Sequence, residues 1–240
     1  GSAVAETMQM SENEKDIAAA EKSVLSSALI DRLELNEKRI KAMADSLYKI
    51  ALLKDPIGEI IETRKRPNGL SIKKIRVPIG VILIIYESRP NVTSDCIGLC
   101  LKSGNACILR GGSEATHSNK IIFDVLNKEA LSSGLPEGSI IMIKDTDRSV
   151  INELIVQEGL VDLVMPRGGE SLIREVTKNA RIPVIKHYKG VCHTYVDKSA
   201  NLKMAYDICF NAKVQRPGVC NAMETMLVNK SIAAKFLPEM

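Results

Sequence analysis

The chain has 240 residues, of which 45% are hydrophobic, so it is long enough to form one or two globular domains with a buried core. Its formal net charge is +4, and the basic residues are scattered among acidic ones rather than gathered into a stripe. With three phenylalanines, five tyrosines and no tryptophan, the composition argues against a nucleic-acid groove with stacking platforms and suits small anionic ligands better.

The six cysteines include no C-x-x-C pair and no paired histidine at metal-ligand spacing, so we expect no metal site. Cys96 and Cys100 are four residues apart in a helical segment, which indicates packing. No secretory signal opens the chain, which favours the cytoplasm and free thiols. The longest apolar run, residues 77–86, is far shorter than the ~20 residues that span a bilayer. We therefore expect no membrane segment.

Residues 1–58 predict N-terminal helices, in which Asn36 caps a segment whose apolar residues recur at spacings of three and four. Residues 59–77 predict two extended runs around Pro67-Asn68-Gly69, because Asn-Gly is the strongest short signal for a β-hairpin. The alternative is a surface loop. A hairpin this charged, projecting before the core begins, is expected to pair with another subunit of a homo-oligomer.

Residues 78–186 alternate between strands and helices, which predicts an α/β fold with a doubly wound parallel sheet. The expected strands are residues 80–86, 106–109, 139–143, 161–165 and 183–186, and the first is aliphatic throughout, as in strands buried on both faces. The expected helices are residues 93–102, 114–132, 148–158 and 170–180. Residues 187–240 predict the first part of a second α/β domain.

Two strand-to-helix turns, residues 108–114 and 165–171, each contain an arginine followed by two glycines. Glycines let the backbone approach a ligand closely, and the N-terminus of the next helix offers N–H groups and a positive dipole to an anion. The arginine adds a bidentate partner for a phosphate. Both turns follow predicted parallel strands, where open α/β sheets bind their ligands. The pair predicts a phosphate-binding rim, although no G-x-G-x-x-G fingerprint is present.

Cys220 follows Pro217 and Gly218 in a predicted loop, and an apolar strand-like run follows it. A thiol on such a loop can face a cleft, and Arg216 is near enough in sequence to favour the thiolate, the form that attacks carbon. The alternative is a small buried residue, as free cysteines usually are. The two phosphate-binding turns favour a thiol enzyme that acts on a phosphorylated, nucleotide-assisted substrate.

A third turn, residues 86–93, would face the same rim. It either places Ser88, Arg89 and Asn91 against substrate near the thiol, or is a helix N-cap loop capped by Asn91 or Thr93.

At these residues the chain resembles the gamma-glutamyl phosphate reductase family of the aldehyde dehydrogenase superfamily. The match runs from about Leu29 to the end of the chain. It is carried by VPIGV at 77–81, YESRPN at 86–91, KSGNA at 102–106, PRGG at 166–169 and CNAMET at 220–225. The resemblance implies NADPH-dependent reduction of L-glutamate 5-phosphate (glutamyl phosphate) to glutamate 5-semialdehyde with release of phosphate, in proline biosynthesis.

The resemblance also implies roles for single residues. Cys220 matches the nucleophile, with Asn221 beside it among the catalytic residues. Ser88 matches the position of an oxyanion-hole asparagine, and His187 approximately matches the general-base glutamate of oxidising relatives. Substrate contacts are expected from Arg89, Asn91 and Arg216. Cofactor contacts are expected from the two glycine turns, namely Arg110, Gly111, Gly112, Ser113, Glu114, Arg167, Gly168, Gly169 and Ser171.

Within these turns, Arg110 at the adenosine end implies a preference for the 2′-phosphate of NADPH. Members of this family continue well beyond Met240, so we expect a truncated catalytic domain and little or no activity from this chain by itself. One alternative is a dehydrogenase that oxidises a free aldehyde, against which the histidine at position 187 argues. The other is a non-catalytic nucleotide-binding fragment.

Overall fold

A computed structural model describes residues 2–87, 89–188, 190–217 and 219–240, with the backbone alone at residues 2–6 and 28. The chain divides into two compact units, residues 1–187 and residues 188–240. The first unit contains the N-terminal helices, a hairpin and the larger sheet. The second contains a small sheet and the segment around Cys220.

The first unit begins with three helices, α1 (Ser2–Lys22), α2 (Ser27–Leu33) and α3 (Glu37–Leu52). The predicted cap of α3 is confirmed, because the side chain of Asn36 accepts a hydrogen bond from the backbone N–H of Arg39 at 3.0 Å. A hydrogen bond of this kind satisfies one of the N–H groups that a helix leaves unpaired at its start.

The hairpin is confirmed. Strands β1 (Ile60–Lys65) and β2 (Ser71–Ile75) pair antiparallel, and Gly69 adopts φ +85° in the connecting turn. Every residue of both strands is exposed, including Ile61 and Ile72. The first unit therefore carries an uncovered two-stranded arm with apolar side chains on it.

The larger sheet has four parallel strands in the order β5-β4-β3-β6, which confirms the predicted α/β fold class. Its strands are β3 (Val81–Tyr86), β4 (Ala106–Gly111), β5 (Ile140–Met142) and β6 (Leu163–Arg167). The helices that follow them are α4 (Pro90–Lys102), α5 (Thr116–Ser132), α6 (Arg148–Leu154) and α7 (Glu170–Asn179).

Strand β3 lies in the middle of this sheet and contributes side chains to two cores. Ile82, Ile84 and Tyr86 belong to one cluster of buried residues, whereas Leu83 and Ile85 belong to another. Successive side chains of a strand point to opposite faces, so the uniformly apolar run covers both faces of the sheet.

The predicted fifth strand at residues 183–186 is wrong as a strand. Only a single bridge forms, in which Val164 N–H donates to the Pro183 carbonyl at 2.9 Å and Ile185 N–H donates to the Val164 carbonyl at 3.0 Å. The next N–H of β6 on that side would come from Pro166, which has none, so the ladder cannot continue.

Two helix boundaries also differ from the prediction. Helix α4 begins at Pro90, since the fixed φ of proline suits the first helical position, and so neither Asn91 nor Thr93 is its N-cap. Helix α6 ends at Leu154, four residues early, because the chain then turns through residues 155–160 to enter β6.

The second unit is a β-α-β-α arrangement. Strands β7 (His193–Val196) and β8 (Thr225–Val228) pair parallel, with helix α8 (Leu202–Val214) between them in sequence and α9 (Lys230–Phe236) after them. Cys209 of α8 is fully buried in its core. The ring of Phe236 stacks on Tyr206 at a centroid distance of 4.5 Å.

The N-terminal helix α1 is fixed to α5 by a buried carboxylate. Asp16 is 3% exposed and accepts hydrogen bonds from the backbone N–H of His117 at 3.1 Å and of Ser118 at 2.8 Å. The hydroxyl of Ser118 also donates to Asp16, at 2.6 Å. A residue of α1 thus caps the first turn of α5, about a hundred residues later in the chain.

We expect Asp16→Ala to lower the free energy of unfolding by about 2–3 kcal/mol, because it leaves buried donors of α5 without their charged acceptor. Urea denaturation followed by circular dichroism measures the change. Asp124→Ala is the matched control, since Asp124 forms only an exposed pair with Lys120 on the same helix and should cost less than about 0.5 kcal/mol. Equal losses in the two variants would contradict this role of Asp16.

Candidate active site

The three predicted turns meet at one edge of the larger sheet. Tyr86, the last residue of β3, pairs with Gly111 of β4 on one side and with Arg167 of β6 on the other. The next residue, Glu87, donates its backbone N–H to the Arg167 carbonyl at 3.2 Å. Parallel pairing therefore places both glycine turns beside the end of the central strand, as the sequence predicted.

A cleft of about 900 Å³, here called the main cleft, opens at this edge. Helices α1 and α2 contribute to its wall together with the strand ends, a contribution that the sequence did not predict. Five of the predicted cofactor residues line it, namely Arg110, Gly112, Ser113, Glu114 and Ser171. Glu87, which was not predicted as a site residue, also lines it. Gly111 instead lines a neighbouring cavity of about 100 Å³, together with Gly112.

Arg110 is more constrained than the sequence indicated. It is 6% exposed, and its Nη2 donates to the backbone carbonyls of Thr146 and Asp147 in the loop between β5 and α6. Burial lowers the pKa of its guanidinium, partly offset by Glu114 nearby. Among the described residues, its Nε has no hydrogen-bond partner. Arg110 thus holds the loop that borders the main cleft.

Gly111 is required by packing inside the protein. A Cβ at this position would collide with the side-chain amide of Asn119 and would lie 3.4 Å from the Tyr86 ring. Asn119 ends a buried chain in which Tyr86 hydroxyl donates to Thr93 at 2.7 Å and Thr93 donates to Asn119 at 3.0 Å. Burial raises the pKa of Tyr86, which keeps its donor proton in place. No sequence motif predicted this network.

The sequence predicted that the N–H groups at the starts of α5 and α7 are available to an anion. This prediction is wrong for the first N–H groups of α5 and for the N-cap of α7. Asp16 already accepts from α5, as described above. At α7, the Glu87 carboxylate accepts from the N–H of Gly169 at 2.8 Å. Carboxylates are stabilised at these ends because the helix dipole favours negative charge there. A phosphate at Gly169 must compete with Glu87.

Other predicted residues of the first unit are less involved in this cleft. Arg167, Gly168 and Gly169 adjoin it through β6 and the start of α7 but are not part of its lining. Arg89 is half-buried directly before α4. Asn91 is exposed in the first turn of α4 and donates to Asp95 at 3.3 Å. Ser88 lies outside the described residues.

In the second unit, the Cys220 segment (residues 215–224) connects α8 to β8. The thiol of Cys220 is exposed in a turn, so the alternative that it is a buried packing residue is wrong. Arg216 and Asn221 are exposed in the same segment, and Gly218 lies outside the described residues. The side chain of Cys192, just before β7, donates to the Cys220 carbonyl at 3.4 Å, a contact that the sequence analysis did not predict.

The cysteines of the two cores differ from Cys220 in exposure. Cys100 and Cys107 are buried in the larger core, with Cys96 partly buried against it, which confirms the packing role predicted for the helical pair. Burial raises the pKa of Cys96 to about 12, and burial also raises the pKa of Cys209. Both shifts favour the neutral thiol at Cys96 and Cys209.

His187 and His193 lie near the start of the predicted catalytic domain. His187 is exposed, and a ring nitrogen of His193 lies 2.9 Å from the Val191 carbonyl. Across the described part of the chain, no cluster of three or more potential metal ligands occurs. Nor does any described helix have both the length and the apolar character needed to cross a membrane.

Comparison with known proteins identifies what the chain is similar to. A family model described as the aldehyde dehydrogenase family matches residues 4–240. A curated gamma-glutamyl phosphate reductase from Caldanaerobacter subterraneus is 59% identical over 228 residues, which cover 95% of this chain and 55% of that protein. The chain therefore spans about half the length of such relatives.

Solved structures agree with this likeness. The crystal structure of gamma-glutamyl phosphate reductase from Thermotoga maritima has a TM-score of 0.84 and 46% identity, over 97% of this chain and 56% of the other. The corresponding enzyme from Saccharomyces cerevisiae has a TM-score of 0.68 and 33% identity, over 97% of this chain and 59% of the other.

We expect Gly168→Ser to destabilise the start of α7 by about 1–3 kcal/mol. A Cβ there would lie 2.5 Å from Glu87 Oε2 and 2.8 Å from Leu172, so Glu87 would have to leave Gly169. Thermal and urea denaturation without cofactor measure the loss.

The matched control is Gly169→Ser, because a Cβ at position 169 meets nothing closer than 3.8 Å. Serine is also a favoured N-cap residue, so this variant should be close to neutral. If Gly169→Ser were the more damaging change, the proposed packing of Glu87 over Gly168 would be incorrect.

Proposed function

Because this chain belongs to the aldehyde dehydrogenase family, we propose that it is the cofactor-binding part, and the beginning of the catalytic part, of a gamma-glutamyl phosphate reductase. The observation that carries the proposal is an exposed thiol, Cys220, in a chain that is 59% and 56% identical to two curated relatives with that name. A buried core position, the usual fate of a free cysteine, does not fit its exposure.

The proposed reaction is the reduction of L-glutamate 5-phosphate to L-glutamate 5-semialdehyde and phosphate, the second step of proline biosynthesis, in the cytoplasm. Its substrate is an acyl phosphate, in which phosphate is a good leaving group. A thiolate is well suited to such a carbonyl, because it forms a covalent intermediate that divides one difficult step into two easier ones.

Members of the aldehyde dehydrogenase family use NAD(P). The described residues fit such a cofactor: the main cleft has about 900 Å³, within the usual range for ligand sites, and lies at the carboxyl ends of parallel strands. Ser113 and Ser171 would hold ribose hydroxyls or phosphate oxygens, Glu114 would accept from ribose hydroxyls, and Arg110 would fix the bordering loop. When bound, NADPH supplies the hydride.

In the proposed mechanism, the Cys220 thiolate attacks the acyl carbon. Phosphate leaves with the electrons of the C–O bond, and a thioester to Cys220 remains. The backbone N–H of Cys220 is the candidate donor to the developing oxyanion, and the resemblance implies Ser88 and Asn221 as further candidates; such a donor is typically worth about 3 kcal/mol of barrier. After reduction, the thiohemiacetal collapses, and the sulfur of Cys220 departs as thiolate while the aldehyde is released.

The substrate's own charges suit the remaining predicted residues. Arg89 and Arg216 would attract the phosphate or carboxylate, since guanidinium groups pair with both in a bidentate manner. His187 lies approximately where oxidising relatives have the glutamate that activates water, so that glutamate is not at this position. A reductase benefits, because hydrolysis of the thioester would waste the acyl group.

We also include a homo-oligomer in the proposal, formed through the hairpin arm β1–β2. The arm carries exposed Ile60, Ile61, Ile72 and Ile75, and its strands have unpaired edges that favour strand addition by another chain.

Cys220→Ser is expected to abolish turnover in a protein as long as the relatives, since a serine hydroxyl is far less nucleophilic than a thiolate. The affinity of the 240-residue chain for NADPH, measured by calorimetry, should be nearly unchanged. Cys209→Ser, at a buried position, is the control that tests whether loss of any thiol inactivates. Turnover retained by Cys220→Ser would remove Cys220 from the nucleophile's role.

NADPH is expected to bind about tenfold or more tightly than NADH, equivalent to about 1.4 kcal/mol. The physical reason is that the cationic Arg110 and the basic Arg148 both line the main cleft, where a 2′-phosphate would add charge. Titration of each nucleotide into the 240-residue chain measures the ratio. Comparable affinities for the two nucleotides would contradict the preference.

A further inference from the structure

A second cysteine lies next to the Cys220 segment in the fold of the second unit. Cys192 immediately precedes β7, which pairs with β8 so that His193 stands opposite Thr225. The carbonyl of Cys192 accepts from the N–H groups of Glu224 at 3.0 Å and Thr225 at 3.1 Å. The backbone of Cys192 is therefore fixed against the end of the segment that contains Cys220.

The thiol of Cys192 points back to Cys220 itself. Its Sγ donates to the Cys220 carbonyl oxygen at 3.4 Å. That oxygen and the Cβ of Cys220 are separated by three covalent bonds, so the Cys192 sulfur lies within about 6–7 Å of the Cys220 Cβ. A disulfide requires sulfurs about 2 Å apart and Cβ atoms about 4 Å apart. Only a short movement is needed.

Cys220 and its turn are able to make that movement. Cys220 is exposed and belongs to a turn rather than to α8 or β8, so rotation of its side chain meets little packing. Loop segments of this kind are more easily displaced than strands held by a ladder. Cys209, the third cysteine of this unit, is fully buried in the core and cannot compete.

We propose that Cys192 and Cys220 form a reversible disulfide when the protein meets a peroxide. In this modification site, Cys192 serves as the resolving thiol. Formation of the disulfide removes Cys220 from nucleophilic chemistry until a thiol reductant restores the Cys220 thiol. The inference rests on the reactivity of the Cys220 thiol in the proposed function, and it does not depend on which substrate or nucleotide the protein uses.

The chemistry balances in two steps. The Cys220 thiolate attacks one oxygen of hydrogen peroxide, the O–O bond breaks, and the departing hydroxide takes up a proton to form water, leaving a sulfenic acid. The Cys192 sulfur then attacks the Cys220 sulfur, the S–O bond breaks, and a second water leaves with the thiol proton. Two thiols lose two electrons and two protons, and the peroxide is reduced to two waters.

The test treats the 240-residue chain with hydrogen peroxide, quenches it with N-ethylmaleimide and digests it with trypsin without reduction. Trypsin does not cleave the Arg216–Pro217 bond, so Cys220 is carried by residues 214–230 and Cys192 by residues 190–198. Mass spectrometry should find these two peptides linked, with the loss of two hydrogen atoms. Dithiothreitol should separate them and restore labelling of Cys220 by iodoacetamide.

Two matched variants show whether the partner is specific. In Cys192→Ser, the linked peptide should disappear and Cys220 should proceed to sulfinic acid, because no resolving thiol is available. In Cys209→Ser, the linked peptide should form as in the unchanged chain. Oxidation of Cys220 to sulfinic acid at the same rate with and without Cys192, and no linked peptide, would overturn the inference. So would a cross-link from Cys220 to Cys209.

Iodoacetamide labelling before oxidation separates this inference from the proposed function. If Cys220 is labelled but never links to Cys192, the disulfide is rejected and the nucleophile of the proposed reductase stands. If Cys220 is not labelled in the folded chain, the thiol is unreactive, and both the disulfide and the proposed nucleophile are rejected.

Discussion

Burial of strand β3 on both faces is the constraint on which the first unit depends. Alternate side chains of one aliphatic run enter two different cores, so β3 has a fixed position between β4 and β6. A shift by one residue would exchange the two faces and leave Tyr86 without its buried partners. The register of β3 thereby determines which loops meet at the carboxyl edge of the sheet, and hence where the main cleft lies.

At that edge, the protein satisfies its own helix termini with carboxylates. Asp16 reaches α5 from the N-terminal helix, and Glu87 reaches Gly169 from the end of the central strand. Each contact ties distant elements together, and each lowers the positive potential that a phosphate would otherwise meet. Anion recognition in the main cleft then depends on side chains and on displacement of Glu87, more than on vacant backbone donors.

In the second unit, strand pairing brings two cysteines together. A parallel pair of strands holds the residues before β7 against the residues before β8, so two thiols that are 28 positions apart become neighbours. One thiol is exposed and carries the proposed chemistry, whereas the other is partly buried against the backbone of the first. The same pairing that presents Cys220 therefore also supplies a second sulfur within reach.

Local signals in the sequence were sufficient for the α/β alternation, the Asn-Gly hairpin, the Asn36 cap and the loop position of Cys220, because periodicity and turn chemistry act over a few residues. Tertiary structure alone decided where the ladder beside β6 stops, how Arg110 is constrained, and which groups meet over separations of 102 residues (Asp16 with Ser118) or 82 residues (Glu87 with Gly169). Such contacts follow from strand order and register, and no short stretch of sequence encodes them.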